Sequence, residues 1–513
     1  MKALLVFPEF PDTYWSFKHA LRFEGKRSLF PPMGLLVVST LLPETWERRL
    51  IDENIRKVKD SDLEWADIVM VSAMIAQRPG MLAMLSRCRE RGIRTVVGGP
   101  ITSYMDDMSR YADHVVVGEA EELVAELAAA LERGDAKPMY KAAQLPTLDR
   151  TPLPDLDLIE AKYYGTMGIQ FSRGCPFNCE FCDIIEIYGR KPRTKSSEQI
   201  VAELDQIYAR KWRGTVFVVD DNFIGNKRKV KELLPVMTEW NDRHGRPFRF
   251  TTEASINLAD DTELLQMMKD ANFDAVLVGI ESPSEDCLKE TQKMQNMRRS
   301  LRESVHRIQS YGMDVWGGFI VGFDNDPPDI FELQVQLIED SAIPVAFVGL
   351  LQVLPGTQLY RRMAKEGRLV DSTKTHGHNL DLRLSYIPRM EPERLFEGLS
   401  SILVHIYNPK NYFARVRNYL ETYPPNPRRQ PLVMSDCVAL GRSIVRQGIF
   451  SRHALSYWRL FFDACTRDRQ SFSAAIRLAI LGYHLEKVTR INLEGVAKPS
   501  VGTGVQSPVA AQA

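Results

Sequence analysis

What is scarce in this 513-residue chain narrows its class first. It has no long apolar run: the longest near-apolar stretch, residues 34–42, falls well short of the ~20 residues that span a bilayer. It has no excess of charge, since 66 Lys plus Arg stand against 66 Asp plus Glu. A tight nucleic-acid binder carries a basic surplus that displaces counterions from phosphates, and a membrane-surface protein needs a polybasic face. Both classes are therefore disfavoured, although a local patch can hide inside a balanced total. Cysteines number seven, too few and too unevenly placed for a disulfide framework. The N-terminus is broken by Pro8 too early for a secretory signal, and a cytoplasmic location is expected. At 44% hydrophobic and 26% charged residues the composition is that of a folded globular protein, and its length fits three or four domains of ~100–200 residues.

Apolar strands alternate with helical patterns over the first ~145 residues, with strands expected at 3–7, 49–52, 67–74, 94–97 and 114–117. Between two of them Met81, Met84, Leu85 and Cys88 form the stripe of a helix packed on a sheet, which makes Cys88 core. Such alternation predicts a parallel, doubly wound sheet whose ligand lies beyond the carboxyl ends of the strands. A proline-punctuated stretch, 144–160, reads as a linker. A second alternation follows, with strands expected at 168–172, 215–220, 249–253, 275–279, 315–321 and 345–353, the series of a partial or full parallel barrel. Ser196 and Gln199 make a capping box at the start of one intervening helix. Beyond residue 359 only helical patterns remain. Ala454, Tyr457, Trp458, Phe461, Phe462 and Cys465 fall on one face, read as bundle core, and breaks are expected at 423–429 and Gly448. The last residues, 496–513, have the composition of a disordered tail.

Three cysteines, Cys175, Cys179 and Cys182, sit on a loop directly after the strand expected at 168–172. Three clustered thiolates can hold zinc or an iron–sulfur cluster. Structural zinc asks for four protein ligands, and the next histidine in sequence, His244, is distant. A cluster of four irons held by three cysteines leaves one iron open to an outside ligand. His376 and His378 read as solvent-exposed loop residues, and the basic stretch 190–195 as a solvated face, with a second reading as a contact for an electron donor or an anionic group.

The Cys-x3-Cys-x2-Cys loop, with Phe181 before the third cysteine and a barrel-like alternation around it, resembles the signature of the radical S-adenosylmethionine superfamily. Later segments strengthen the likeness: Asp220-Asp221-Asn222, Glu253-Ala254-Ser255, Gly279-Ile280-Glu281, Gly317-Gly318 with Gly322, and Leu354-Pro355-Gly356-Thr357. The resemblance implies a 4Fe-4S cluster on the three cysteines and S-adenosylmethionine on its open iron. Asp220 and Asp221 stand where the superfamily contacts the methionyl amine, in Asp-Asp-Asn rather than the usual Gly-Gly-Glu. Glu253, Ser255 and Glu281 are expected to meet ribose or amine, and Gly318 and Gly322 to let backbone approach the adenine.

With the upstream sheet, the chain resembles the cobalamin-binding class of that superfamily, through Asn54, Ser72, Gly98, Gly99, Gly118 and Glu119 at strand ends. The Asp-x-His-x-x-Gly motif that supplies a cobalt ligand elsewhere is missing. No histidine below the cobalt is therefore implied, and Gln77 or Arg78 is expected to face that side. The helical end is similar to the extension of a subset that includes the hopanoid C-2 methylases, notably at Tyr407-Asn408-Pro409-Lys410-Asn411-Tyr412.

The expected architecture is thus a flavodoxin-like cobalamin domain over 1–145, a linker over 146–160, a radical S-adenosylmethionine (β/α)6 partial barrel over 161–360, a helical domain over 361–495 and the tail. The implied function is a C-methyltransferase acting on an unactivated carbon of a hydrophobic or secondary-metabolite substrate. A non-methylating cyclase or rearrangement enzyme and, more remotely, a metal-binding sensor are the alternatives. Expected partners are a small-molecule substrate and a ferredoxin or flavodoxin electron donor, without nucleic acid or a transmembrane segment.

Overall fold

The computed structural model of the chain describes residues 1–105, 107–370, 383–424 and 434–494. His376, His378 and the tail lie outside these residues, as does most of the break expected at 423–429.

The N-terminal sheet contains β1 (Lys2–Phe7), β2 (Glu47–Asp52), β3 (Ile68–Ser72), β4 (Arg94–Gly98), β5 (His114–Val117) and β6 (Met139–Lys141), the last too short and polar to stand out in the sequence. Its order is β2-β1-β3-β4-β5-β6, parallel throughout. Alternate residues feed two cores, one per face. Leu4 and Val6 of β1 join Val69, Val71 and Val97 on one side, while Ala3 and Leu5 join Ile68, Met70 and Val96 on the other. Burial on both faces is why these strands read as nearly unbroken apolar runs. The helix Arg78–Glu90 covers the first face with Met81, Met84, Leu85 and Cys88, all buried.

After the sheet, residues 146–160 are tied back to the helix Met33–Leu41: Asp155 N donates to Leu36 O at 3.0 Å, and Ser39 Oγ to the Asp155 carboxylate at 2.9 Å. The chain then lays down β7 (Met167–Ile169), an antiparallel ladder of β8 (Ser172–Arg173) with β9 (Arg193–Thr194), and β10 (Gly214–Val218), β11 (Phe248–Glu253), β12 (Phe273–Glu281), β13 (Asp314–Val321) and β14 (Val345–Leu350). β7 and β10 to β14 pair in parallel and in sequential order, with β7 and β14 at the two edges. That order, with intervening helices, is the wall of a partial barrel. The strand read at 168–172 is split in two because Phe171 N and Ser172 N both donate to the Asp220 carboxylate, at 2.8 Å each, which turns the chain out of the sheet. Ser196 and Gln199 cap the following helix, Ser197–Ala209, reciprocally as expected.

Among the described residues beyond the barrel are the helices Gln358–Lys365, Pro392–Tyr407, Pro409–Thr422, Met434–Ser443, Ala454–Cys465 and Arg469–Glu494. They share one core with the barrel and with the N-terminal segment Lys18–Glu24. Two expectations are corrected here. On Ala454–Cys465 the buried positions are Tyr457, Leu460 and Ala464, whereas Phe462 and Cys465 are exposed, because the neighbouring helices cover only a flank of the apolar stripe. The break expected at Gly448 comes two residues later: Gly448 is itself buried in the closing π-type turn, Ile444–Ile449, where Trp458 Nε1 donates to Gly448 O at 2.9 Å, and the chain leaves the helix at Phe450. Among the described residues no helix is long and apolar enough to cross a membrane.

Candidate cofactor site

The carboxyl ends of the two sheets face each other across a cavity of about 770 Å³. Gly98, Gly99 and Gly118 line it from the first sheet, and Gly168, Val219 and Glu253 from the second. Asn54, Ser72 and Glu119 also border it, and apolar side chains such as Trp15, Phe30, Met33 and Phe217 make up much of the remaining wall. Gly118, at φ 87°, has nothing within 4 Å of where a Cβ would project, so its backbone offers a flat surface to a ligand. Gly99, at φ 84°, is needed for packing instead, since a Cβ there would fall 2.5 Å from Ser72 Oγ. No histidine lines the cavity among the described residues.

Gln77 and Arg78 are not among the lining residues. Gln77 is buried with both ends of its amide engaged: Nε2 donates to Pro8 O at 2.5 Å, and Oε1 accepts from Met74 N at 2.9 Å. Asn54 likewise accepts from Phe10 N and donates to Asp52, which fixes the strand end it belongs to.

The cysteine loop lies beside the cavity: Arg173 before it and Ile187 and Tyr188 after it line the wall, while the three cysteines do not. Its ends are pinned by the β8–β9 ladder and by Cys175 N donating to Gly189 O at 3.2 Å. Gly174, at φ 94°, is obligatory here, as a Cβ would meet Gly189 O at 2.8 Å. The three thiols are not paired in disulfides. Asn222 Nδ2 donates to Cys175 Sγ at 3.7 Å and Gln295 Nε2 to Cys179 Sγ at 3.5 Å, while the backbone N–H groups of Phe177 and Ile184 serve Cys175 and Cys182. Burial nevertheless pushes the Cys175 and Cys182 thiols upward, with Asp183 adding to the shift at Cys182. The buried Lys293 ammonium acts in the opposite sense on both. Burial tends to lower Lys293 itself, but its 2.7 Å pairing with Glu281 and the nearby Cys179 and Cys182 raise it overall. Soft sulfur donors, N–H···S contacts and one buried cation suit an anionic iron–sulfur cluster. Among the described residues no three His, Cys, Asp or Glu side chains converge on a single metal ion, whereas a cluster takes each thiolate on a separate iron.

The residues expected around S-adenosylmethionine separate into groups. Asp220 is buried and accepts three hydrogen bonds, from Phe171 N, Ser172 N and Ser172 Oγ, so it braces the start of the loop; burial still raises it to about 7. Asp221 accepts from Gly174 N at 3.1 Å and is raised by burial to about 6. Ser255 is joined through Asn222 to Cys175. Glu281, in left-handed backbone at φ 66°, holds Lys293. Gly318 lies opposite Gly279 in the sheet register. The space beside Gly322 is filled by the protein: a Cβ would fall 2.7 Å from Tyr386 Oη, which donates to Gly322 O. Glu253 alone of this set reaches the cavity. Burial, with the charges of Asp221 and Asp220, lifts its carboxyl to about 8, and no hydrogen bond to it is formed among the described residues.

Sequence reasoning missed the joint between the two sheets. Glu119 is one side of a buried cluster, accepting from Arg173 Nη1 at 2.5 Å and from Arg193 Nη2 at 2.6 Å, while Arg173 also pairs with Glu121 at 2.7 Å. Tyr104 donates to Asp183, next to the third cysteine. Part of the basic stretch is therefore not a solvated face: Arg193 joins the domains, and Lys195 is buried against Glu203, while Arg190 and Lys191 are exposed. Acidic residues after β5 and arginines flanking the cysteines were the only available signal, and nothing in the sequence pairs them.

Three family models match the chain: a B12 binding domain over residues 27–128, the Radical SAM superfamily over 169–335, and a domain of unknown function, DUF4070, over 357–498. An uncharacterized methyltransferase of Synechocystis sp. is 40% identical over 94% of this chain and 91% of its own length. The hopanoid C-2 methylase of Rhodopseudomonas palustris is 34% identical over 97% of this chain and 95% of its own length. In fold, the structure of the radical S-adenosylmethionine methyltransferase TsrM from Kitasatospora setae, with cobalamin and a 4Fe-4S cluster bound, matches with a TM-score of 0.61 at 14% identity, covering 96% of this chain and 99% of that one. The cobalamin-dependent S-adenosylmethionine radical enzyme OxsB matches with a TM-score of 0.60 at 15% identity, covering 96% and 80%.

A B12-binding sheet set against a radical S-adenosylmethionine core defines an enzyme that works with a 4Fe-4S cluster, S-adenosylmethionine and cobalamin. The chain belongs to the cobalamin-binding radical S-adenosylmethionine family, in the group that includes the hopanoid C-2 methylase.

Proposed function

We propose that the protein methylates an unactivated carbon of an apolar small molecule, with a polycyclic lipid of the hopanoid kind as the substrate class. The observation that carries this reading is the apolar cavity bounded by Gly98 and Gly118 on one side and by Gly168, Val219 and Glu253 on the other, with Arg173, Ile187 and Tyr188, which flank the cysteines, in its wall. When bound, the cluster and S-adenosylmethionine supply hydrogen abstraction, and cobalamin supplies a methyl group renewed from a second S-adenosylmethionine.

The chain's own residues bind, orient and shield. Cys175, Cys179 and Cys182 would hold the cluster, while Asn222, Gln295 and Lys293 stabilise its sulfur charge. Asp221, Ser255 and Glu281 border the loop where S-adenosylmethionine would lie. Asn54, Ser72, Gly98, Gly99 and Gly118 form the wall a corrin would rest against. Glu253, protonated at neutral pH, can donate a hydrogen bond from its carboxyl into the cavity. Trp15, Phe30, Met33 and Phe217 exclude water. A ferredoxin or flavodoxin supplies the electron, and exposed Arg190 and Lys191 beside the loop suit an acidic donor.

The test is anaerobic reconstitution of the full chain with iron, sulfide and cobalamin, followed by incubation with S-adenosylmethionine, reductant and hopanoids. Methylated lipid, 5′-deoxyadenosine and S-adenosylhomocysteine should rise together, and all three should vanish in Cys179→Ala. Turnover that yields no S-adenosylhomocysteine would instead favour a non-methylating rearrangement.

A further inference from the structure

Exposed apolar side chains are concentrated at one corner of the helical region. Ile449 is 60% exposed, Phe450 80%, Leu455 78% and Phe462 62%. They belong to one surface. Trp458, bonded through Nε1 to Gly448 O, stacks on Phe462 with ring centroids 5.5 Å apart, and Leu455 and Phe462 lie two helical turns apart on the same side of Ala454–Cys465. The fold does not need these side chains: the opposite flank of the same helices supplies the core through Tyr457, Leu460 and Ala464, and Ser443, Tyr457 and Gln447 bond to one another beneath.

The stretch that bears the patch is basic. Residues 437–462 contain four arginines and no Asp or Glu, between Asp436 and an Asp463 that faces Arg417 and Arg467. Arg442 and Arg446 pack on the helix Lys18–Glu24, which leaves Arg452 and Arg459 at the patch. Arg452 and Arg459 are exposed, with no acidic partner among the described residues. A large apolar patch rimmed by cations has the character of an interfacial surface that sinks into the acyl boundary while its arginines meet anionic headgroups. Neither helix is long and apolar enough to cross the bilayer. A second copy of this chain suits the patch poorly, because a two-fold pairing would set the arginines against their own symmetry mates.

We propose that the turn between Ile449 and Ala454, with the flanking helix faces, is a peripheral docking surface for an anionic lipid bilayer. It places the enzyme at the phase in which apolar molecules dissolve, yet it stands on side-chain exposure and charge alone and is independent of the reaction assigned to the cavity.

The test is flotation of the reconstituted full chain with vesicles of phosphatidylglycerol and phosphatidylcholine in equal parts, compared with phosphatidylcholine alone and followed across salt. Binding should be strong on the anionic vesicles and weaken with salt. It should fall about tenfold or more in Phe450→Ser with Leu455→Ser, and in Arg452→Glu with Arg459→Glu. Val404→Ser, at a position exposed elsewhere on the helical region, should leave it unchanged. Iron content and melting temperature should stay at wild-type values in every variant. Absence of vesicle binding, equal binding to neutral vesicles, or a dimer in solution that the Phe450→Ser, Leu455→Ser protein dissociates would each overturn the proposal.

Discussion

Arg193 of the β9 strand donates through Nη2 to Glu119 Oε1 at 2.6 Å, joining the ladder that closes the cysteine loop to the end of β5 in the other sheet. Because Arg173 of β8 binds the same carboxylate, one acidic side chain holds both strands of the ladder against the neighbouring domain. The position of the cluster loop beside the cavity is therefore set from outside the barrel.

Glu119→Ala leaves the partly buried Arg193 without its carboxylate, held only by Pro146 O and Tyr188 O, while Arg173 keeps Glu121. Because those carbonyl bonds remain, the loss should be about 1–3 kcal/mol, below the full cost of stranding a buried charge. Denaturant unfolding measures the loss, and iron retention after gel filtration should drop in parallel. Wild-type stability in Glu119→Ala would remove the brace from the account.

Asp220→Asn preserves shape but turns an N–H toward groups that already donate. At least one of the bonds from Phe171 N, Ser172 N and Ser172 Oγ must fail, for about 1–3 kcal/mol. Since those bonds divert the chain into the cysteine loop, slower cluster assembly followed by absorbance should accompany the lower stability. Assembly at the wild-type rate with only stability reduced would separate the two roles.

Gly398→Ala weighs two opposed effects. Alanine in place of glycine favours the helix Pro392–Tyr407 by about 1 kcal/mol, but its Cβ would meet three atoms of the buried Phe331 ring at 2.3–2.4 Å. A whole ring must move in a filled core, an overpacking cost of typically 1–3 kcal/mol. The melting temperature should fall; a rise would mean that the helix and ring separate at little cost.

His19 and His484 couple stability to pH. Burial holds both near 4, with the Lys487 and Arg22 charges adding to the effect at His19 and His19 adding to it at His484. The neutral ring of His484 donates from Nε2 to Tyr14 O at 3.0 Å and accepts from His19 N at Nδ1 at 3.4 Å. Unfolded histidines take up protons near 6.5, before the folded ones do, so stability is lost as pH falls from 6.5 toward 4. The slope is at most about 1.4 kcal/mol per pH unit for each histidine. Thermal unfolding across this range should show the fall, and His484→Phe, which still stacks on Phe17, should flatten it.

Much of the architecture was legible because the relevant forces are local in sequence. Strand alternation, the Met81 to Cys88 stripe and the Ser196–Gln199 cap each need only neighbours a few residues apart. The cysteine loop was legible for the same reason. What escaped was contact at long range: Glu119 finds its arginines 54 and 74 residues downstream, and Gly322 meets Tyr386 64 residues on. The stripe at Phe462 and Cys465 failed differently, since periodicity reports that a face is apolar and is silent on whether anything covers it. The strand at 168–172 was divided by Asp220, a competitor for backbone donors that no propensity weighs.

Tyr14 Oη lies 2.6 Å from Thr489 Oγ1, a hydrogen bond between side chains 475 residues apart. The first helix is thus completed by the last. At roughly 5–20 residues per second of synthesis, the N-terminal segment waits on the order of half a minute or more for the helix it packs against. During that interval Phe17, Leu21 and Phe23 are uncovered on a growing chain whose sheet can already fold. Translation speed and chaperone supply, rather than final stability alone, should govern how much active enzyme a cell recovers.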